Sequence, residues 1–408
     1  MSRTNVLTSC QAALIRIGAI SILSFSTGAA FGQVCDTFNT PPSAIERPLY
    51  VIAGQSNAAG LASVDDSAFD ASVPDFANAN TTYSNVQIFG IYGAPLGVVN
   101  NDSGQNSIGV NWSAYGNWGT ARPGYGYKNI NDYKALNPNA TGTDDAIARK
   151  LFGPELYMAH FLNGLPGQQF IVKLGVAGTS LIPQPGVDNW APNGHLYTEL
   201  LKMITNAYEA KKTGYRLRVA GIFFMQGESD AINPNLTPSA LETQYQASLG
   251  NFISSLRNDL YNRNCADSRD IPFVIGRVQN NATWTKNLSV RKAQQTVDKL
   301  STTVGLVNTD DFLAPNPKGM KNDGVHFNEY GQAHLGARAF HALVSPYGAG
   351  DFQIPIQGNS GTLLQNFYSN GAAYCCYDKN SSSALQHYIP IGFSYGGVCS
   401  GYSCSTGY

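Results

Sequence analysis

Four short stretches, widely separated in a chain of 408 residues, carry side chains able to attack a carbonyl or move a proton. Gly54-Gln55-Ser56-Asn57 places a serine directly after the apolar run Pro48–Ala53. A serine there sits at a helix N-terminus, where its own N–H helps to bind an oxyanion. An ordinary capping serine has the same surroundings, so this stretch alone decides nothing. Asn322-Asp323-Gly324-Val325-His326-Phe327 sets a carboxylate and an imidazole three residues apart. That spacing lets Asp323 hold Nδ1 of His326, fix its tautomer and stabilise the imidazolium formed when the other nitrogen takes a proton. A lone D-x-x-H also suits a metal ligand pair, but His160, His195, His334 and His341 fall in or beside helical patterns and do not extend such a set.

The run Leu217–Met225 ends in Gln226-Gly227-Glu228-Ser229-Asp230, an amide and two carboxylates at the mouth of an apolar strand. Turn chemistry alone would account for Asp230. The run Phe170–Val176 ends in Ala177-Gly178-Thr179-Ser180, where a glycine lets the backbone approach a ligand and offer an N–H. Taken together, the four stretches supply a nucleophile (Ser56), a base (His326) and an orienting acid (Asp323). They also supply three candidate oxyanion donors: the Ser56 N–H, the Gly178 N–H and the Gln226 side chain. Glu228 is either a supporting acid near His326 or a brace for the oxyanion loop. The chemistry of such a set is nucleophilic acyl transfer, and it needs no metal or organic cofactor.

Positioning these residues requires strands that all end on one edge. Pro48–Ala53, Phe170–Val176, Leu217–Met225, Pro272–Val278 and Val304–Asn308 read as strands, four of them nearly continuous in apolar residues, as parallel strands covered on both faces must be. Helical patterns alternate with them: Asp144–Asn163, with Asp144 as its N-cap, then Leu196–Lys212, Pro238–Leu256, Ser289–Leu300 and Tyr330–Leu343. The alternation predicts an α/β fold, a three-layer α/β/α sandwich around a parallel five-stranded sheet. Ligands in such sheets bind beyond the carboxyl ends of the strands, where all four stretches fall. Two segments break the pattern. Residues 65–143 read as a long loop insertion; its Phe76–Ala121 part carries Asp102 as its only charge beside five Tyr and Trp rings, and is expected to fold as cover near the site. Residues 350–408 read as a Cys-rich appendage, either a carbohydrate-binding module or a structural clasp.

Composition narrows the partners. Charged residues are 13% of the chain and the formal net charge is −1, so no basic surplus exists to neutralise nucleic-acid phosphates. Abundant aromatics on a weakly charged protein suit a neutral sugar polymer. Residues 1–32 have the layout of a signal peptide: Arg3 and Arg16, then the apolar run Ile17–Phe25, then Ala30-Phe31-Gly32 before a cleavage at Gln33. The run is too short for a membrane span, which takes ~20 residues, so no integral membrane segment remains after cleavage. Of seven cysteines, Cys10 lies in this leader. The other six, Cys35, Cys265, Cys375, Cys376, Cys399 and Cys404, fit up to three disulfides in an oxidising compartment, extracellular or periplasmic.

The motifs resemble those of the SGNH hydrolases, in particular the sialate O-acetylesterase-like carbohydrate esterases, which include acetyl xylan esterases. The resemblance rests on Gly54-Gln55-Ser56-Asn57, Phe152-Gly153-Pro154-Glu155-Leu156, Ala177-Gly178-Thr179-Ser180, Gln226-Gly227-Glu228-Ser229-Asp230-Ala231 and Asp323-Gly324-Val325-His326-Phe327. It spans roughly Leu49–Val344 and departs at Ala177, where the branch often has glycine. It implies a flavodoxin-like SGNH fold over residues 33–349, Ser56 as nucleophile, His326 as base, Asp323 as its partner, and Ser56, Gly178 and Gln226 as the oxyanion hole. It implies deacetylation of an acetylated polysaccharide or oligosaccharide. A carbohydrate-binding protein on an inactive hydrolase scaffold and a lipid-ester hydrolase are the competing readings.

Overall fold

Alternation of apolar side chains along successive strands lets one sheet bury both of its faces. The computed structural model describes residues 35, 44–65, 81–96, 98, 101, 103–312 and 319–344, and the backbone of 363–369 and 372–377. The chain divides into two units, Met1–Gln33 and Val34–Tyr408, and every described residue belongs to the second. The expected leader lies outside the described residues, as do Cys399, Cys404 and the side chains of Cys375 and Cys376.

In chain order the elements begin with β1 (Ile45–Gly54), α1 (Ser56–Ala59), β2 (Ala62–Ser63), β3 (Tyr83–Gly90), β4 (Asn117–Ala121) and α2 (Ile130–Leu136). There follow α3 (Asp144–Ala148), β5 (Leu151–Phe152), α4 (Pro154–Asn163), β6 (Gln169–Gly175), α5 (His195–Glu209) and β7 (Tyr215–Met225). Then come α6 (Glu228–Ala231), α7 (Pro238–Asn262), β8 (Phe273–Gly276), α8 (Asn287–Lys299), β9 (Val304–Val307) and α9 (Glu329–Val344). A separate antiparallel pair, β10 (Leu363–Ser369) and β11 (Ala372–Tyr377), is all that is described of the expected appendage. Among the described residues no helix is long and apolar enough to cross a membrane.

The main sheet runs β4-β3-β6-β1-β7-β8-β9. All neighbours are parallel except β3 and β4. One face, with Val51, Val172, Phe224 and Ile275, packs on α5, α7 and α8. The other, with Ile52, Ile171, Phe223 and Val274, packs on α4 and α9. The three expected layers are present, but the sheet has seven strands rather than five. The two extra strands come from the segment read as loop. In β3 only Val86 and Ile88 keep a clean alternation, and β4 is five residues with a central glycine. Neither reads as a strand until β6 offers an edge for β3 to pair with. The rings of this segment are not mainly cover. Trp112 is wholly buried in the core. Trp118 donates its indole N–H to Ala207 O of α5 and packs edge-on against Phe89 and Phe170.

The expected helix 144–163 is two helices. Gly153 is extended ahead of Pro154, which disfavours helical geometry in the residue before it. The strand β5 fills the gap and pairs with β2. The N-cap of α3 is Thr143 rather than Asp144, its hydroxyl accepting from Ala146 N–H. A disulfide joins Cys35 to Cys265, 230 positions apart, and ties the start of the described chain to the segment after α7.

Candidate active site

Three strand ends in register create the platform. Gly54 closes β1 opposite Gly175 of β6 on one side and Met225 of β7 on the other. Gln55 N–H donates to Met225 O at 2.9 Å, and Val176 N–H to Gly54 O at 2.9 Å. The loops after β1, β6 and β7 therefore open side by side, at the carboxyl edge where ligands bind in such sheets. Gly54 has φ +135°, and a Cβ there would lie 1.9 Å from Met225 O, so only glycine allows the chain to turn. Ser56 follows as the first residue of α1, a single turn closed by bonds from Ala58, Ala59 and Gly60. The sequence suggested a helix end; a four-residue turn has little macrodipole, so what it offers is the Ser56 N–H itself.

The imidazole of His326 comes from a distant part of the chain. Met320 and Phe327 bridge across a tight turn, closed by Lys321 N–H to His326 O at 2.8 Å and Gly324 N–H to Lys321 O at 2.9 Å. Inside it, Asp323 Oδ2 lies 2.6 Å from His326 Nδ1. Asp323 Oδ1 accepts the N–H groups of Val325 and His326 at 2.9 and 3.0 Å. Burial pushes the Asp323 carboxyl upward, but the hydrogen bond and charge of His326 outweigh it and hold the group below its usual value. The Tyr127 ring, from the insertion, backs the imidazole at 6.1 Å between centroids.

Asn57, the residue after Ser56, joins the two ends. Its Oδ1 accepts Phe327 N–H at 3.0 Å and its Nδ2 donates to Val325 O at 3.3 Å, so one side chain grips the residues on both sides of His326. Gln332 of α9 adds a bond from its Nε2 to Asn57 O at 3.1 Å. The backbones carrying Ser56 and His326 are thereby locked together. Among the described residues Ser56 Oγ is not hydrogen-bonded to His326; such contacts commonly tighten only when substrate is bound. Asn57 was quoted in the sequence only as a neighbour of Ser56, and nothing in local spacing marks it as the brace.

The Ser56 and Gly178 N–H groups have no acceptor among the described residues. Gly178 takes φ +64°, a conformation glycine adopts without cost. Gly104 of the insertion lies against it so closely that a Cβ on Gly104 would sit 1.9 Å from Gly178 O. No sequence signal pointed to Gly104. Gln226 is held by protein neighbours. It is wholly buried, and its amide nitrogen donates to Asp230 Oδ2 at 2.6 Å and Thr179 O at 3.2 Å. The Tyr245 hydroxyl donates to its Oε1 at 3.0 Å. With both amide hydrogens engaged, Gln226 is bonded to the loop after β6 and to Asp230 in this arrangement.

Glu228 is also wholly buried. Its Oε1 accepts from Asn57 Nδ2 at 3.1 Å and its Oε2 has no hydrogen-bond partner among the described residues; burial pushes its pKa up. His326 Nδ1 lies against Asp323 Oδ2, and Glu228 bonds the Asn57 side chain. Asp230, equally buried, has its pKa raised by burial to about 6 despite bonds from Gln226, Leu181 and Ile182. Among the described residues no three His, Cys, Asp or Glu side chains gather as a metal site. His334 and His341 are buried in α9, where burial lowers their pKa values to about 3 and about 4. His195 pairs with Asp188 through Nδ1 at 2.7 Å, outside the site.

No curated protein matches the sequence. Several solved structures are similar at low identity. A protein from Arabidopsis thaliana is 18% identical, with 74% of this chain and 99% of that one covered and a TM-score of 0.48. NanS is 14% identical, with 74% and 97% covered and a TM-score of 0.48. A carbohydrate acetylesterase from Xanthomonas citri is 15% identical, with 81% and 62% covered and a TM-score of 0.43. A family model, SASA, described as carbohydrate esterase, sialic acid-specific acetylesterase, matches residues 95–345. That stretch includes Gly178, Gln226, Glu228, Asp323 and His326 and begins after Ser56. It is more than half of the chain, and the protein belongs to the SASA family of carbohydrate esterases.

Proposed function

We propose that this protein is an exported serine esterase that removes O-acetyl groups from a glycan. The observation that supports the reading is the Asn57 brace, which ties the residue after Ser56 to the backbone on both sides of His326, whose Nδ1 lies 2.6 Å from Asp323 Oδ2. His326 takes the Ser56 proton through its free nitrogen as Oγ attacks the acetyl carbonyl. The oxyanion is received by the Ser56 and Gly178 N–H groups. Collapse expels the sugar oxygen, which leaves with the proton from His326, and water then frees acetate by the same steps. Gln226 becomes a third donor only by releasing Asp230 or Thr179.

A glycan leaving group has support beside the base. A cavity of about 480 Å³ is lined in part by Asn280, Asn281, Lys321, Asn322 and Gly324, the last three from the turn that carries Asp323. This falls in the ~300–1,000 Å³ range of small-molecule sites, and its amides suit sugar hydroxyls. Export rests on the leader-like residues 1–32 and on the Cys35–Cys265 bond, which persists in oxidising compartments.

The test combines a serine-directed fluorophosphonate with acetate release. Wild-type protein is expected to be labelled once per chain and to release acetate from acetylated xylan, pectin or sialosides, preferring acetyl over octanoyl esters. Ser56→Ala is expected to lose the label and all but trace turnover; near-normal turnover would remove Ser56 as nucleophile.

A further inference from the structure

Asp230 uses both carboxylate oxygens on one loop. Oδ1 accepts Ile182 N–H at 2.9 Å, and Oδ2 accepts Leu181 N–H at 2.8 Å and the Gln226 amide at 2.6 Å. Leu181 and Ile182 lie three and four residues beyond Gly178. The other end of this loop is tied to β1 by Val176 N–H to Gly54 O. Between the two anchors, Thr179 O receives the second hydrogen of Gln226, and Thr179 Oγ1 donates to Val176 O and accepts from Trp190 Nε1. The strand ends fix one side of Gly178 and the carboxylate fixes the other.

A charge at this depth is costly unless fully satisfied. The apolar layers already carry the packing of α5, α7 and α8 on the sheet. What the carboxylate adds is three charge-assisted bonds directed at loop backbone and one amide, shorter and stronger than neutral ones. We infer that Asp230 is a positioning residue for acyl transfer, holding the Gly178 loop and the Gln226 amide so that the Gly178 N–H stays aimed at the oxyanion formed on Ser56. This rests on the esterase reading above. An asparagine of the same shape has one acceptor oxygen, and its NH₂ meets at least one of the three donors head-on.

Steady-state turnover of p-nitrophenyl acetate tests the inference, with rates expressed per site titrated by fluorophosphonate. Removing a whole oxyanion donor typically costs ~10²–10³ in turnover. Asp230→Asn loosens one without removing it, so kcat is expected to fall by roughly 10–100-fold, with KM within about threefold and a cooperative thermal transition. Asp230→Glu keeps the charge but displaces the oxygens by one methylene; it carries the same expectation should the asparagine variant not fold. Wild-type kcat per titrated site in either folded variant overturns the inference, as does a rise in KM at constant kcat. Wild-type protein that neither takes the label nor releases acetate overturns the esterase reading itself, a result separate from any effect at Asp230.

Discussion

Two turns at the carboxyl edge of the sheet hold acids near the same serine, and they treat them in opposite ways. Asp323 and Asp230 each accept three hydrogen bonds. Asp323 is partly open to solvent and one of its donors is an imidazole that can become a cation, so its pKa is held low. Asp230 is closed off from water and bonded only to neutral groups, so burial wins and raises it to about 6. The count of hydrogen bonds does not separate the two; the charge of the partner and access to water do. One turn pairs its carboxylate with an imidazole, and the other bonds the Asp230 carboxylate to loop backbone and a side-chain amide.

The largest effect that this contrast predicts is at Asp323. Asp323→Asn removes the charge that stabilises the imidazolium and is expected to lower kcat on p-nitrophenyl acetate by roughly 10³–10⁴. A loss under tenfold would mean that the two turns do not differ as argued. The Cys35–Cys265 bond lies in neither turn and serves as a control. Replacing both cysteines by serine should reduce unfolding free energy by about 2–5 kcal/mol, while turnover per folded molecule stays unchanged; denaturant unfolding and site titration read the two separately. Glu228→Gln keeps a group of the same shape that accepts from Asn57, and is expected to cost less than about tenfold in kcat, below the ~10²–10⁴ typical of a general acid or base. A loss matching that of Asp323→Asn would move Glu228 into the acid role.

The smallest expected signal is in the pH dependence of stability. Asp323, whose native pKa is lowered, adds stability above its unfolded value of 3.8 that is lost only as pH falls through its lower native value. Asp230 has the opposite sign. Between 3.8 and about 6 its native carboxyl binds more proton than the unfolded chain does, so stability from this group falls as pH rises through that interval. Thermal unfolding of wild type between pH 4 and 6.5 should therefore show an acid-side gain that Asp230→Asn lacks. Parallel curves for the two proteins would show that Asp230 is not protonated in that range.

Much of this was legible from local pattern. The runs ending at Ala53, Val176 and Met225 are long and apolar enough to require strands buried on both faces, and each is followed at once by the residues of interest. Asp323 and His326 meet inside one turn, so their spacing alone brought them together. β3 and β4 were not legible, because their residues alternate weakly and become strands only through pairing with β6 and with each other. The break at Gly153-Pro154 was legible in principle, since proline restricts the residue before it, but the helical spacing on either side hid it. The engagement of Gln226 could not be read in advance: a side-chain amide faces a ligand or a neighbour according to what packs beside it, and here Asp230, Thr179 and Tyr245 surround it.

Residue types and order along the chain determined by themselves that this protein is a layered α/β structure with a serine, an imidazole and carboxylates in the loops at the carboxyl edge of its sheet. Those features depend on short-range periodicity and on glycine and proline geometry, which a few neighbouring residues decide. Tertiary structure alone decided that Asp230 bonds the Gly178 loop and that Asn57 grips both sides of His326. Burial and hydrogen bonding between segments up to 275 positions apart set those outcomes, and desolvation acts on a carboxyl group only after the rest of the chain has closed around it.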